Sequence, residues 1–163
     1  MVGYNSNSTN IVECIPKNAV GAEIGVWKGD SSELFLKSGS PKQLHLVDPW
    51  SFSAFSANLT RDELDAHLKK YSVLTGSTEP AAFDRFYDLI YKFVVGRFRA
   101  YPNVVIHRMT STEWFANFEE KLDWIYIDGD HTYTGCLNDL NNCLTVMKPN
   151  GIIFGDDYGN KVS

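Results

Sequence analysis

No stretch of this 163-residue chain is apolar for long enough to cross a bilayer. Basic residues are outnumbered, with 15 Lys and Arg against 20 Asp and Glu, and the resulting net charge of −5 argues against nucleic acid or an anionic membrane as a partner. The opening MVGYNSNSTN lacks a basic start and an apolar h-region, so no secretory leader is expected and a cytoplasmic location follows. Cysteine is scarce: Cys14, Cys136 and Cys143 are odd in number and lack metal-type pairing, which points to buried, reduced thiols. The sequons at Asn7 and Asn58 accordingly read as chance matches. There is no P-loop, no G-x-G-x-x-G, no internal repeat and no low-complexity segment.

What remains is ordinary globular composition for one domain over 1–163, with 1–10 polar and frayed. Ile11, Val12 and Ile15 suggest a helical lead-in packed under a sheet. Ala19–Val26 reads as the first strand, followed by a helix that Asp30, Ser31 or Ser32 caps and Gly39-Ser40-Pro41 stops. Gln43–Val47 is the second strand and ends at Asp48. Residues 51–102 form a helical insert. In it Thr60 and Glu63 have the form of a capping box, and Phe83, Phe86, Tyr87, Ile90, Phe93, Val94 and Phe98 recur at helical spacing as a stripe that packs on the sheet. Val104–His107 is the third strand, with a short helix after Thr110-Ser111. The unbroken apolar run of LDWIYIDGDHTY, residues 122–133, reads as a fourth strand buried on both faces. Cys136, Leu137, Leu140, Cys143, Leu144 and Met147 give the next helix one apolar face. Lys148-Pro149-Asn150-Gly151 ends it, and Ile152–Phe154 is the fifth strand.

Strands alternating with helices imply an α/β fold, a doubly wound, mostly parallel Rossmann-like sheet in the order 3-2-1-4-5. The loops at Gly25–Gly29 and Asp128–His131 then face each other across the switch-point crevice. Gly25 and Gly29 let a ligand approach the backbone, although a plain tight turn needs the same glycines. Asp48 lies about 20 residues beyond, the spacing at which an acid grips a ribose diol. Trp27 occupies the middle of the loop, which favours a nucleoside-bearing ligand without a pyrophosphate and disfavours an NAD-dependent oxidoreductase. Asp128, Asp156 and Asp157 would converge at neighbouring strand ends, where a hard divalent ion such as Mg²⁺ relieves their repulsion. Helix capping by Asp130 or Thr132 is the competing use of this loop. His131 faces the crevice as a candidate general base, with Asp130 competing for the role. His45, His67 and His107 carry no such pairing and read as ordinary residues.

GAEIGVWKGDSS at 21–32, LHLVDPW at 44–50, IYIDGDHTY at 125–133 and KPNGIIFGDDY at 148–158 together resemble the class I S-adenosylmethionine-dependent methyltransferases, in particular the macrocin-type sugar O-methyltransferases. By that resemblance Glu23, Gly25 and Gly29 hold the methionine part of the cofactor, Asp48 the ribose hydroxyls, and Ser111 lies near the adenine. Trp27 and Asp128 complete the cofactor's surroundings. The metal-dependent relatives place Mg²⁺ on the residues matching Asp128, Asp156 and Asp157, and their base matches Asp130 or His131. The expected activity is methyl transfer from S-adenosylmethionine to a hydroxyl of a small molecule, such as a sugar, glycan or natural product. The family fold continues past strand five into two more strands, and this chain stops at Ser163. The expectations are therefore a shortened chain, or a homo-oligomer that covers the strand-five edge. A non-catalytic module that binds the nucleoside is the competing reading.

Overall fold

The structure, a computed structural model, describes residues 11–57 and 59–156. The first ten residues, expected to fray, the sequon asparagines Asn7 and Asn58, Asp157 and the last residues lie outside that range. Five parallel strands form one sheet in the order β3-β2-β1-β4-β5, as expected. They are β1 (Val20–Ile24), β2 (Gln43–Asp48), β3 (Val104–Arg108), β4 (Leu122–Ile127) and β5 (Met147–Gly155). Among the described residues β3 and β5 are the edges. The connecting helices are α1 (Asp30–Leu34, continued by a π-turn over Phe35–Gly39), α2 (Phe52–Ser56), α3 (Arg61–Thr75), α4 (Pro80–Phe98), α5 (Ser111–Asn117) and α6 (Tyr133–Val146). Among these residues no helix is long and apolar enough to cross a membrane.

Alternation along β4 divides the core in two. Trp124 and Tyr126 enter the cluster on the α1/α4 face, with Phe35, Ile90, Val94 and Phe98. Ile125 and Ile127 enter the opposite cluster, with Trp114 and Phe115 of α5 and Cys143 and Val146 of α6. Phe35 stands edge-on to both Trp124 and Tyr126, at 5.4 and 5.2 Å. A five-residue helix has no stability of its own, so α1 depends on that contact, which is worth about 2 kcal/mol in buried area alone. Trp124 in turn needs Gly21 in the neighbouring strand, because a Cβ there would lie 2.0 Å from the indole.

Several local expectations are corrected. No side chain caps α1: Gly29 in the left-handed region is its N-cap, and Asp30 is already helical. The anticipated apolar face of α6 is displaced. Leu137, Leu140 and Leu144 are exposed, whereas Asp139, Cys143 and Val146 point inward. The inward set follows the 3.6-residue period from Cys143, with a carboxylate occupying one of its places. Cys14 and Cys136 are exposed, so only Cys143 meets the expectation of a buried thiol, and all three are free. Phe93 leaves the α4 stripe and faces solvent. The helix ends at Val146 and the fifth strand begins at Met147, so Lys148–Gly151, expected to end the helix ahead of a strand at Ile152–Phe154, is already extended. It lies within β5, where the pairing shifts from Leu122–Met147 to Trp124–Ile152. The Thr60–Glu63 capping box forms as expected, and Thr110 with Glu113 makes a second.

His45 and His107 are not ordinary surface residues. They reach across from β2 and β3 with Nδ1 and Nε2 3.0 Å apart, packed among Trp114 and Phe118. Burial first, and then the neighbouring His107, hold the His45 imidazole down at about 4, against an ordinary 6.5. Between those values the unfolded chain binds a proton that the folded one refuses, so stability falls as the solution is acidified and is unaffected above pH 6.5. Urea unfolding is expected to show a loss of about 2 kcal/mol between pH 7 and pH 5. His45→Leu should remove most of that slope, and an unchanged slope would contradict the assignment.

Candidate active site

β1 and β4 lie side by side, and their carboxyl ends deliver two loops that touch. The amide of Asp128 donates to the Ile24 carbonyl at 2.8 Å, carrying the ladder one step past the strands. Gly25 then turns away at φ 85°. A Cβ on Gly25 would lie 2.0 Å from the Asp128 carbonyl oxygen and 2.7 Å from the Cα of Gly129, so only glycine allows this approach. Gly29, at φ 79°, is held against the Phe98 ring in the same way.

Asp48 ends β2 beside this loop and organises it. One carboxylate oxygen accepts the amides of Val26 and Trp27 at 3.0 Å each, and the other accepts the amide of Trp50 at 2.7 Å. Burial raises its pKa, and the three amide bonds pull the other way. The oxygen with one amide retains acceptor capacity for a hydroxyl. Trp27 itself sits at φ 52°, an uncommon conformation for a side-chain-bearing residue. The Trp50 indole, donating to the Trp27 carbonyl at 2.8 Å, holds it there.

Glu23 is buried on β1 beneath the loop and accepts a hydrogen bond from the Ser32 hydroxyl. Burial lifts its pKa well above the ordinary carboxylate range. The Ser32 bond opposes the rise, and the charges of Asp128 and Asp48 add to it. Arg97 of α4 is the opposing cation. It donates to the Lys28 carbonyl at 2.8 Å and pairs with Asp30 and Glu33, pinning the loop from outside. The crevice is therefore acidic, and a cationic ligand suits it better than an anionic one. A zwitterionic amino-acid sulfonium fits that crevice, its glycine turn and the acceptor at Asp48.

On the other side of the crevice, β4 hands over to Asp128, Gly129, Asp130 and His131. The His131 ring lies 3.8 Å from the Asp128 carboxylate. It stands just before the helix rather than at its first turn, because Thr132 is the N-cap of α6 and accepts the Gly135 amide. Asp130 accepts the Thr132 amide at 2.9 Å, so this carboxylate braces the turn while Thr132 caps the helix. Asp156 follows β5, and its amide donates to the Ile127 carbonyl at 3.1 Å, which sets it next to Asp128. Among the described residues no group of three or more His, Cys, Asp or Glu could hold a metal ion. The third carboxylate of the expected set, Asp157, lies outside them.

Ser111, expected near an adenine, begins α5 and hydrogen-bonds the carboxyl of Asp139. Asp139 is only 3% exposed, and burial raises its pKa. Its Oδ2 lies 3.4 Å from where a Cβ on Gly129 would be, which places it against the loop that follows β4. Asp139 and Arg97 escaped the reading of the sequence, which took Ser32 only as a helix cap. An acid within the apolar period of α6 was a usable signal for Asp139, whereas nothing local marks Arg97, which acts 67 residues away.

Comparison with known proteins agrees with this geometry. A family model described as a methyltransferase domain matches residues 22–158. No curated protein matches the chain. Among solved structures, an rRNA methylase from Streptococcus thermophilus superposes with a TM-score of 0.56 at 8% identity, over 96% of this chain and 74% of its own. A methyltransferase from Streptococcus mutans in complex with SAH gives 0.54 at 8%, over 94% and 73%. A protein from Staphylococcus aureus described as a caffeoyl-CoA O-methyltransferase gives 0.59 at 14%, over 96% and 59%. At these identities the likeness is one of fold.

Gly25→Ala would force the β1 and β4 loops apart. Calorimetric titration with S-adenosylhomocysteine should show affinity reduced by about tenfold or more, together with a stability loss of about 1–3 kcal/mol. Unchanged affinity would show that the loop contact does not shape the ligand site.

Proposed function

The chain belongs to the methyltransferase-domain family, with the class I fold of S-adenosylmethionine-dependent methyltransferases, and from that premise we propose that it methylates a hydroxyl oxygen of a small molecule. The observation that carries the reading is the contact between the Gly25 turn and the Asp128 loop, which sets His131 and Asp130 beside the cradle for the cofactor. Sequence motifs shared with macrocin-type enzymes and the fold likeness to a protein described as a caffeoyl-CoA O-methyltransferase support oxygen as the acceptor atom.

Glu23, Gly25, Trp27 and Gly29 would hold the amino-acid end of the cofactor, Asp48 its ribose, and Ser111 the neighbourhood of its adenine. When bound, S-adenosylmethionine supplies an electrophilic methyl carbon on a sulfonium. The acceptor oxygen displaces the thioether in line: an O–C bond forms as the C–S bond breaks, and the hydroxyl proton must leave. His131 is the proposed proton acceptor, with the Asp128 carboxylate facing the ring and balancing the charge it gains. Asp130 is the alternative base, one of its oxygens being engaged by the Thr132 amide. Holding the two reactants in line is the enzyme's larger task and can supply about 7–11 kcal/mol, whereas proton removal contributes about 10²–10⁴-fold. Asp128 and Asp156, joined by Asp157, form the proposed seat of a divalent ion, whose role would be to make the acceptor hydroxyl easier to deprotonate.

The test is methyl transfer from labelled S-adenosylmethionine to a panel of sugars, glycosides and phenols, with and without chelator. Turnover should stop in excess EDTA and return with Mg²⁺. His131→Ala should lower kcat by about 10²–10⁴-fold with the affinity for S-adenosylhomocysteine retained. A larger loss with Asp130→Asn than with His131→Ala would reverse the assignment of the base. Full turnover in EDTA would remove the metal alone. Saturable cofactor binding without transfer to any acceptor would favour a binding module.

A further inference from the structure

The insert builds something that the sheet does not require. α3 touches none of the five strands' core clusters: Leu64, Leu68 and Tyr71 pack instead with Phe52, Phe83 and Tyr87 in a third, separate core. That small core leaves a cavity of about 210 Å³ between α3, the first turns of α4 and the glycine loop. Its walls are Trp27, His67, Tyr71, Phe83, Phe86 and Tyr87, with Leu74 at the rim. The Trp27 indole is the wall nearest the cofactor loop. It is held at 5.6 Å and nearly edge-on to Tyr87, and at 6.0 Å from Phe86. Trp27 remains 41% exposed although it lies amid apolar partners, whereas the other three tryptophans are buried.

We propose that this cavity receives an uncharged aromatic ring of the methyl acceptor, a phenol or catechol, stacked against Trp27. The proposal rests on the methyl-transfer reading above and narrows its acceptor. Four observations support it. The volume suits one substituted ring, since an apolar cavity of about 150 Å³ takes benzene. No Lys or Arg is among the residues lining the cavity, although Lys28 and Lys70 lie over the Trp27 and Tyr71 rings at 5.8 and 5.0 Å, so a phosphate or carboxylate inside would meet no cation among the walls themselves. The polar atoms available are few: the hydroxyls of Tyr71 and Tyr87 and the imidazole of His67. A sugar ring would bury several hydroxyls without partners, whereas a phenol buries one. The fourth observation is electrostatic. The Tyr87 hydroxyl is pushed up to about 12, mainly by burial and then by the charge of Asp48. It therefore stays a hydrogen-bond donor, and it feels the charge of the carboxylate assigned to the ribose. Burial also lowers the pKa of His67, which favours its neutral form. The ring site and the cofactor cradle thus share Trp27 and the Tyr87–Asp48 neighbourhood as a common wall.

The test follows the Trp27 indole N–H resonance, identified by its loss in Trp27→Phe, during titration of the whole chain with catechol and, separately, glucose. Catechol should shift it saturably and glucose should not. Leu74→Trp, which fills the cavity from its exposed rim, should weaken catechol binding by about tenfold or more while leaving S-adenosylhomocysteine affinity unchanged. No saturable shift up to the solubility of catechol, an equal response to glucose, or indifference to Leu74→Trp would each overturn the proposal. Catechol binding by a chain that binds no S-adenosylhomocysteine would leave the ring site standing and overturn its assignment to a methyl acceptor.

Discussion

The contact on which the site depends is backbone against backbone: Gly25 against the carbonyl of Asp128. Two parallel strands must diverge at their carboxyl ends to open a crevice, yet here the loops meet before they part. The Asp128 amide is fixed on Ile24, and the absence of a Cβ at Gly25 lets the turn close over it. The position of Asp128 against the glycine turn follows from that closure. Asp128 is fixed relative to the glycine turn, and only Gly129 and Asp130 separate it from His131, in a turn braced by the Asp130–Thr132 hydrogen bond. A side chain at Gly25 would spoil the alignment while leaving the sheet itself intact.

The acids around this contact divide by environment. Glu23 lies fully buried and is pushed toward its neutral form, so it acts as a hydrogen-bonding floor that holds Ser32 and the start of α1. Asp48 spends its carboxylate on three backbone amides and fixes the shape of the loop. Asp128 and Asp156 stand nearer the mouth at adjacent strand ends. Arg97 balances only the outer side of the loop, through Asp30 and Glu33. The carboxylates nearer the mouth, rather than the neutral floor, favour a sulfonium or an ammonium group over a phosphate-bearing ligand. The electrostatics thus lead to the same ligand class as the missing phosphate-binding motifs in the sequence.

The sheet order was legible because apolar runs, glycine turns and alternating helices leave few topologies for a chain of this length. Gly25, Asp48, Asp128 and His131 were legible as positions because each falls at a strand end, where side chains are delivered to one edge. The orientation of α6 was not legible. Its most hydrophobic side chains are Leu137, Leu140 and Leu144, so hydrophobicity pointed to that side, while packing chose Cys143, Val146 and the carboxyl of Asp139. The Asp139 carboxyl there interacts with Ser111 across 28 residues, and no local pattern records that partner. Arg97 was hidden for the same reason. The His45–His107 pair required knowing that β2 and β3 are neighbours in the right register.

The insert between β2 and β3 follows a different logic from the sheet. Its inner half, Ile90 to Phe98 of α4, belongs to the main core and cannot vary without cost to the fold. Its outer half rests on Phe52, Leu68 and Phe83 alone, a core too small to contribute much to global stability and separate from either face of the sheet. Aromatic side chains there fill volume and also present rings to the cavity beside Trp27. Because the two halves are joined by one continuous helix, the cavity keeps a fixed position relative to the cofactor loop, to which Arg97 ties α4 at its far end. The fold is thereby anchored by one end of α4, and the other end lines the cavity proposed for the acceptor ring.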